Sequence, residues 1–135
     1  MTPALRHRVR QRADDCCKYC GLPQAYTSLP HEVDHIRSQK HHGPSSFDNL
    51  CWACARCNSF KGSDIATHDP VTRELVPLFN PRTEAWDHHF EWRGPILLGK
   101  TTTGRATLEL LQINLAERIE HRRLLIEAGL FGPEW

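Results

Sequence analysis

Six cysteines and nine histidines supply most of the chemistry this 135-residue chain could perform. Cys17-Lys18-Tyr19-Cys20 and Cys54-Ala55-Arg56-Cys57 are two CxxC pairs, with thirty-four positions from Cys20 to Cys54. Two such pairs provide four thiolates, the set that closes a tetrahedral structural Zn²⁺ site. Cys51-Trp52-Ala53-Cys54 is a further CxxC and competes for Cys54. The 54/57 pairing is preferred because Asn58 and a helix-stopping Lys61-Gly62 follow it directly. Cys16 and Cys51 are then core or spare thiols. A closed zinc site does no chemistry. It pins two distant segments and leaves residues 21–53 as an insert worth anchoring.

Inside that insert, His31-Glu32-Val33-Asp34-His35 matches HExxH, the zinc-protease signature, and His41 falls at the third-histidine spacing of the extended pattern. That mechanism needs both histidines on one helical face and a glutamate activating zinc-bound water. Ser38 stands where that pattern turns on glycine, the only methionine is Met1, and thirty residues upstream are too few for half a protease cleft.

Taken as a strand, Glu32-Val33-Asp34-His35-Ile36 ends in an adjacent acid and imidazole. Imidazole, with an ordinary pKa of about 6.5, is the side chain suited to general-base work near neutrality. Asp48-Asn49-Leu50 follows, then Cys54-Ala55-Arg56-Cys57-Asn58-Ser59-Phe60-Lys61-Gly62. The ordered series CxxC, DH, N, CxxCNxxKG resembles the zinc-knuckle subgroup of the HNH endonuclease family, over about residues 13–62. Asp69-Pro70, the segment 74–82, Trp86, His89-Phe90 and Gly104-Arg105-Ala106-Thr107 resemble an extension carried by small stand-alone bacterial members.

The resemblance implies an α+β fold with a ββα-metal core. It implies a divalent-metal-dependent DNA endonuclease that hydrolyses phosphodiesters to 5′-phosphate and 3′-hydroxyl ends. In it His35 is the general base and Asn49 braces the loop and orients that base. Asp34 and Asn58 hold one Mg²⁺ or Mn²⁺, and Cys17, Cys20, Cys54 and Cys57 hold the structural zinc. Hard oxygen donors suit such a cation, which would stabilise the developing charge and the leaving oxygen. Asn58 follows Cys57, so the zinc knuckle sets the register of the helix carrying it. Arg37, Lys40 and Lys61 are candidate phosphate contacts, and His31 a candidate third metal ligand. The implied partner is DNA, double-stranded, with a homodimer as the way to cut both strands. The alternative is a zinc-dependent nucleic-acid-binding module that does not cleave; it has no need of Asp34, His35 and Asn58 together.

These groups need elements to hold them. Leu5, Val9 and Ala13 recur every four residues and predict a helix over 4–13. Residues 16–30 read as loop, 50–53 as a short strand, and 54–62 as a helix stopped by Gly62. A strand is expected within 74–79, and a hairpin over 90–93 and 96–98 around Gly94-Pro95. Two helices follow near 103–111 and 115–128, the second with a capping-box start at Asn114 and Glu117 and a stop at Gly129. His41 and His42 fall in an exposed loop, His88 and His89 pack or cap, and Arg118, Arg122 and Arg123 form a salt-bridged helix face.

Length and composition agree with one folded domain over residues 1–135, its core at 13–62 and its extension at 63–135. Apolar residues are 39% of the chain, which argues against disorder, and no apolar run approaches a membrane span. Arginines at 6, 8, 10 and 12 are followed by no apolar leader. Cysteines without a leader point to metal in a cytoplasmic protein, not to a disulfide scaffold. The net charge of +1 conceals nine Lys/Arg against five Asp/Glu in residues 1–62 and eight against eleven in 63–135. Basicity lies with the cysteines, as a polyanion partner would favour. Thirteen of the seventeen basic residues are arginine, the type with a planar fork for phosphate.

Overall fold

The computed structural model describes residues 1–132 and is α+β. Two compact units divide the chain: Met1–Ile65 with Asn80–Glu84, and Ala66–Phe79 with the residues from Ala85 onward. No helix among the described residues is long and apolar enough to cross a membrane.

In the first unit, α1 (Pro3–Arg12) starts at Thr2, whose hydroxyl accepts from Leu5 N at 3.1 Å, with Pro3 in the first turn. Its apolar stripe buries Val9, with Ala13 just beyond, against Leu50 and Trp52, flanked by Leu5, Val33 and Phe47. Leu50 and Trp52 belong to β2 (Leu50–Ala53), which pairs antiparallel with β1 (Glu32–His35). Val33 lies opposite Trp52, Asp34 opposite Cys51, and His35 opposite Leu50. All four β2 residues are buried, so this strand shows no polar alternation. Next comes α2 (Ala55–Lys61), with Cys54 as its N-cap and Gly62 at φ +52° as its stop.

The second unit holds β3 (Ala66–His68) antiparallel to β4 (Leu75–Pro77), then α3 (Trp86–His89). The hairpin β5 (Phe90–Arg93) and β6 (Ile96–Gly99) turns at Gly94, and α4 (Thr102–Leu110) and α5 (Ala116–Glu127) complete it. Phe79, Phe90, Leu97, Leu111 and Ile113 are buried, and the rings of Phe79 and Phe90 meet edge-on at 5.4 Å. Two elements absent from the sequence reading are β3 and α3, each too short to carry a period.

The Gly104-Arg105-Ala106-Thr107 segment has a structural purpose at each position. A Cβ on Gly104 would lie 2.2 Å from the carbonyl oxygen of His89, so only glycine lets α4 approach this closely. Arg105 reaches both carboxylate oxygens of buried Asp69, at 3.0 and 2.8 Å. Ala106 is fully buried. Thr107 Oγ1 donates to the Thr103 carbonyl and accepts from Phe79 N. His89 packs as expected, its Nδ1 2.6 Å from Thr101 Oγ1.

Two expectations for the last helix are corrected. Asn114 does not cap α5: its side-chain oxygen accepts from Leu97 N and its amide donates to Leu97 O, so it pairs with β6 as a strand would. Arg123 pairs on the exposed face with Glu120 and Glu127. Arg118 turns inward to the carbonyls of Leu111 and Gln112, and Arg122 to those of Pro95 and Ile113. The carbonyls at the end of α4 and in the hairpin lack helical or strand partners, and these forks satisfy them.

Asp69 also accepts from Thr72, and the Arg105 hydrogen bonds hold its pKa well below the usual carboxylate range. A depressed native pKa contributes stability that is complete above the ordinary aspartate value of about 3.9 and lost as pH falls through the native one. Asp69→Asn is therefore expected to melt several degrees below wild type at pH 7. Thermal melts from pH 7 to pH 2 should show the difference shrinking below about pH 4.

Candidate functional site

The sulfurs of Cys17, Cys20, Cys54 and Cys57 all lie within 4.8 Å of one another, and all four residues are buried. Backbone N–H groups point at two of them: Cys20 N at Cys17 Sγ (3.5 Å) and Cys57 N at Cys54 Sγ (3.4 Å). Lys18 N donates to Trp52 O at 2.8 Å and fastens the first knuckle to β2. Burial pushes the Cys17 and Cys57 thiols well up, whereas a hydrogen bond from Cys17 lowers Cys54. Four converging, desolvated sulfurs are a soft donor set that fits Zn²⁺ and could hold it. Cys51 and Cys16 stand outside this group. Cys51 Sγ faces Asp34 Oδ2 at 3.7 Å and Cys16 Sγ faces Asp14 O at 3.3 Å. The competing 51/54 pair is therefore not the one assembled.

Residues 32 and 34 share one face of β1, and α2 meets that face. Lys61 Nζ lies 3.1 Å from Asp34 Oδ1 and 3.0 Å from His35 O. Tyr19 Oη, from inside the first knuckle, donates to Asp34 Oδ2 at 2.7 Å. Asp34 is 3% and Lys61 1% exposed. Burial raises the Asp34 carboxyl, against the opposing pull of Lys61 and Tyr19. Both oxygens of this carboxylate have partners, Lys61 on Oδ1 and Tyr19 on Oδ2. Asn58, one turn before Lys61, instead donates through Nδ2 to Glu32 Oε2. Asn58 thus meets Glu32, while Asp34 meets Lys61 and Tyr19. A carboxylate and an amide are hard donors of the class Mg²⁺ and Mn²⁺ take.

His35, half-buried at the end of β1, has Nε2 2.8 Å from Ser45 Oγ. Asn49 braces the intervening turn with both ends of its amide. Oδ1 accepts from Arg37 N at 3.0 Å, and Nδ2 donates to the carbonyls of Arg37 and Pro44, each at 2.9 Å. The turn closes tightly enough that a Cβ on Gly43 would overlap Arg37 O, at 1.6 Å. Ile36 N donates to Asn49 O at 2.9 Å, which ties this brace to the strand bearing the imidazole.

Arg37 and Lys40 are exposed, but Lys61, assigned from sequence to a phosphate, is enclosed and paired with Asp34. His31 is fully buried, its Nε2 2.7 Å from Leu22 O and its ring beside Trp52; it belongs to no metal-ligand group among the described residues. Glu32 through His35 is strand, so the HExxH histidines share no helical face and the protease geometry is absent. His41 and His42 are exposed as expected. Three contributors escaped the sequence reading. Period-two alternation from Asp34 could have found Glu32. Nothing in composition or spacing marks Tyr19 or Ser45.

Residues 17–64 match the HNH endonuclease family. Over 127 residues the chain is 28% identical to Septu protein PtuB of Bacillus thuringiensis, an alignment covering 92% of this chain and 46% of that protein. The chain therefore spans about half the length of the curated relative it matches. No solved structure matches it.

Two outcomes test the cluster and the buried pair. Purified wild type and Cys51→Ser should each carry one zinc by metal analysis, and Cys17→Ser should lose it together with cooperative melting. Lys61→Met should leave Asp34 buried without its cation and cost about 3–5 kcal/mol in denaturant unfolding. A loss under 1 kcal/mol would mean that the pair is a surface contact.

Proposed function

With an HNH endonuclease domain at residues 17–64 as the premise, we propose that the chain is a divalent-metal-dependent DNA endonuclease. The observation that carries this reading is His35. It is an accessible imidazole at a strand end, with Nε2 held by Ser45 and the turn after it locked by Asn49. β1, β2 and α2 serve as its ββα-metal core, over which one phosphodiester is laid. His35 takes the proton of the attacking water, and Ser45 and Asn49 keep the ring from rotating away. Cleavage leaves 5′-phosphate and 3′-hydroxyl ends.

Asn58 and Glu32 are the oxygen donors we assign to Mg²⁺ or Mn²⁺. When bound, the cation supplies positive charge to the phosphate and the leaving oxygen. Asp34 acts as a positioning residue: with Lys61 it locks α2 onto β1, and with Tyr19 it ties both to the knuckle. Zinc in the four-cysteine cluster is structural. Arg37 and Lys40 approach flanking phosphates. The DNA is double-stranded, cut on both strands when two copies act together, and the chain works in the cytoplasm as one functional domain.

Supercoiled plasmid, incubated with zinc-loaded protein in Mg²⁺, Mn²⁺ or EDTA, tests the reading. Nicked or linear product should need the added cation. His35→Ala should lower the rate about 10²–10⁴-fold with zinc retained, and Asn49→Ala by up to roughly 10²-fold through loss of alignment. Binding of DNA without cleavage of plasmid or of linear and single-stranded substrates would instead support the non-cleaving binding module.

A further inference from the structure

We propose that the outer face of α1 is a nucleic-acid backbone site: Arg8 and Arg12, stacked on Phe47, together with Arg82, take the phosphates of the strand that enters at His35. The inference rests on the nuclease reading and assigns a surface that the family resemblance leaves untouched.

Arg8 and Arg12 are one turn apart on α1, and both stack on the Phe47 ring, their guanidinium carbons 4.3 and 3.8 Å from its centroid. Arg12 is committed to structure, donating to Phe47 O at 2.7 Å and to Leu50 O. Burial lowers its pKa, and Arg82 and Arg8 push the same way, with Asp48 among the anions opposing them. Two guanidinium groups thus stack on one aromatic ring, and the charge of a third, Arg82, acts on Arg12.

Two of the three have donors to spare. Arg8 is exposed and makes no hydrogen bond or ion pair with a described residue. Arg82 Nε is enclosed and has no acceptor among the described residues. Other arginines of the chain are matched: Arg10 with Asp15, Arg105 with Asp69, Arg123 with Glu120 and Glu127. Gathering like charges is unfavourable unless an anion joins them. Asp48, the neighbour of Phe47, acts on Arg12, and its single charge does not balance three guanidinium groups.

Position selects the anion. Phe47 follows Ser45, the partner of His35, by two residues, a chain reach of about 7 Å. A DNA strand advances about 3.4 Å per nucleotide. A strand with one phosphate at His35 therefore offers another to this cluster within a few nucleotides. Guanidinium groups stacked on an aromatic face keep their forks pre-oriented for phosphate oxygens.

The test uses the full, zinc-loaded chain carrying His35→Ala, so that no substrate is consumed. Anisotropy of a labelled duplex of about 20 base pairs, between 50 and 200 mM salt, compares it with Arg8→Gln/Arg82→Gln and Arg123→Gln added on that background. The double variant should keep its zinc and melting temperature. It should lose about two from the slope of log affinity against log salt and bind roughly tenfold or more weakly at mid-range salt. Arg123→Gln should match its parent. A double variant that binds like its parent, with the same slope, overturns the surface and leaves the nuclease reading standing. A parent that binds neither duplex nor single strand overturns both.

Discussion

Four thiols buried within 4.8 Å of one another are the constraint from which the first unit's geometry follows. Unmetallated, such a cluster desolvates four weak donors for little return; metallated, it becomes a rigid crosslink between the turn after α1 and the start of α2. Such a crosslink would fix the rotation of α2, on which Asn58 meets Glu32 and Lys61 meets Asp34. Tyr19, from within the first CxxC, reaches the same aspartate. Knuckle, strand and helix therefore meet at one buried carboxylate, and His35 is the next residue.

This placement divides labour between neighbours that a linear motif presents as a pair. Successive strand residues face opposite ways, so Asp34 goes to the interior with Lys61 while His35 stays within reach of solvent. A buried ion pair is a poor cation site but a good lock, because removing either member strands the other charge. The helix does not leave the surface empty-handed: one turn earlier, Asn58 meets Glu32.

Much of this was legible in the sequence. The CxxC spacing identified the four cluster cysteines, and the helical stripe of Leu5, Val9 and Ala13 placed α1 to within a residue. Turn chemistry located the Gly94 hairpin and the stops at Gly62 and Gly129. Asn49 was recognisable as a brace. What stayed hidden depended on tertiary context. Lys61 reads as a surface charge until Asp34 is placed beneath it. Arg118 and Arg122 read as exposed helix-face charges until the carbonyls of Leu111 and Ile113 draw them inward. Asn114 reads as a helix cap until the edge of β6 offers it two backbone partners. Ser45 and Tyr19 carry no pattern, because each matters only through one neighbour in space.

The central claim is that zinc-dependent folding of the first unit assembles a nuclease site at His35. Zinc titration of the metal-stripped chain at constant Mg²⁺ tests it most directly, with circular dichroism and plasmid nicking recorded at every addition. The account predicts that folding and nicking rise together and saturate at one zinc per chain. Full nicking before zinc is added, or a folded one-zinc protein that cuts no form of DNA, would contradict it.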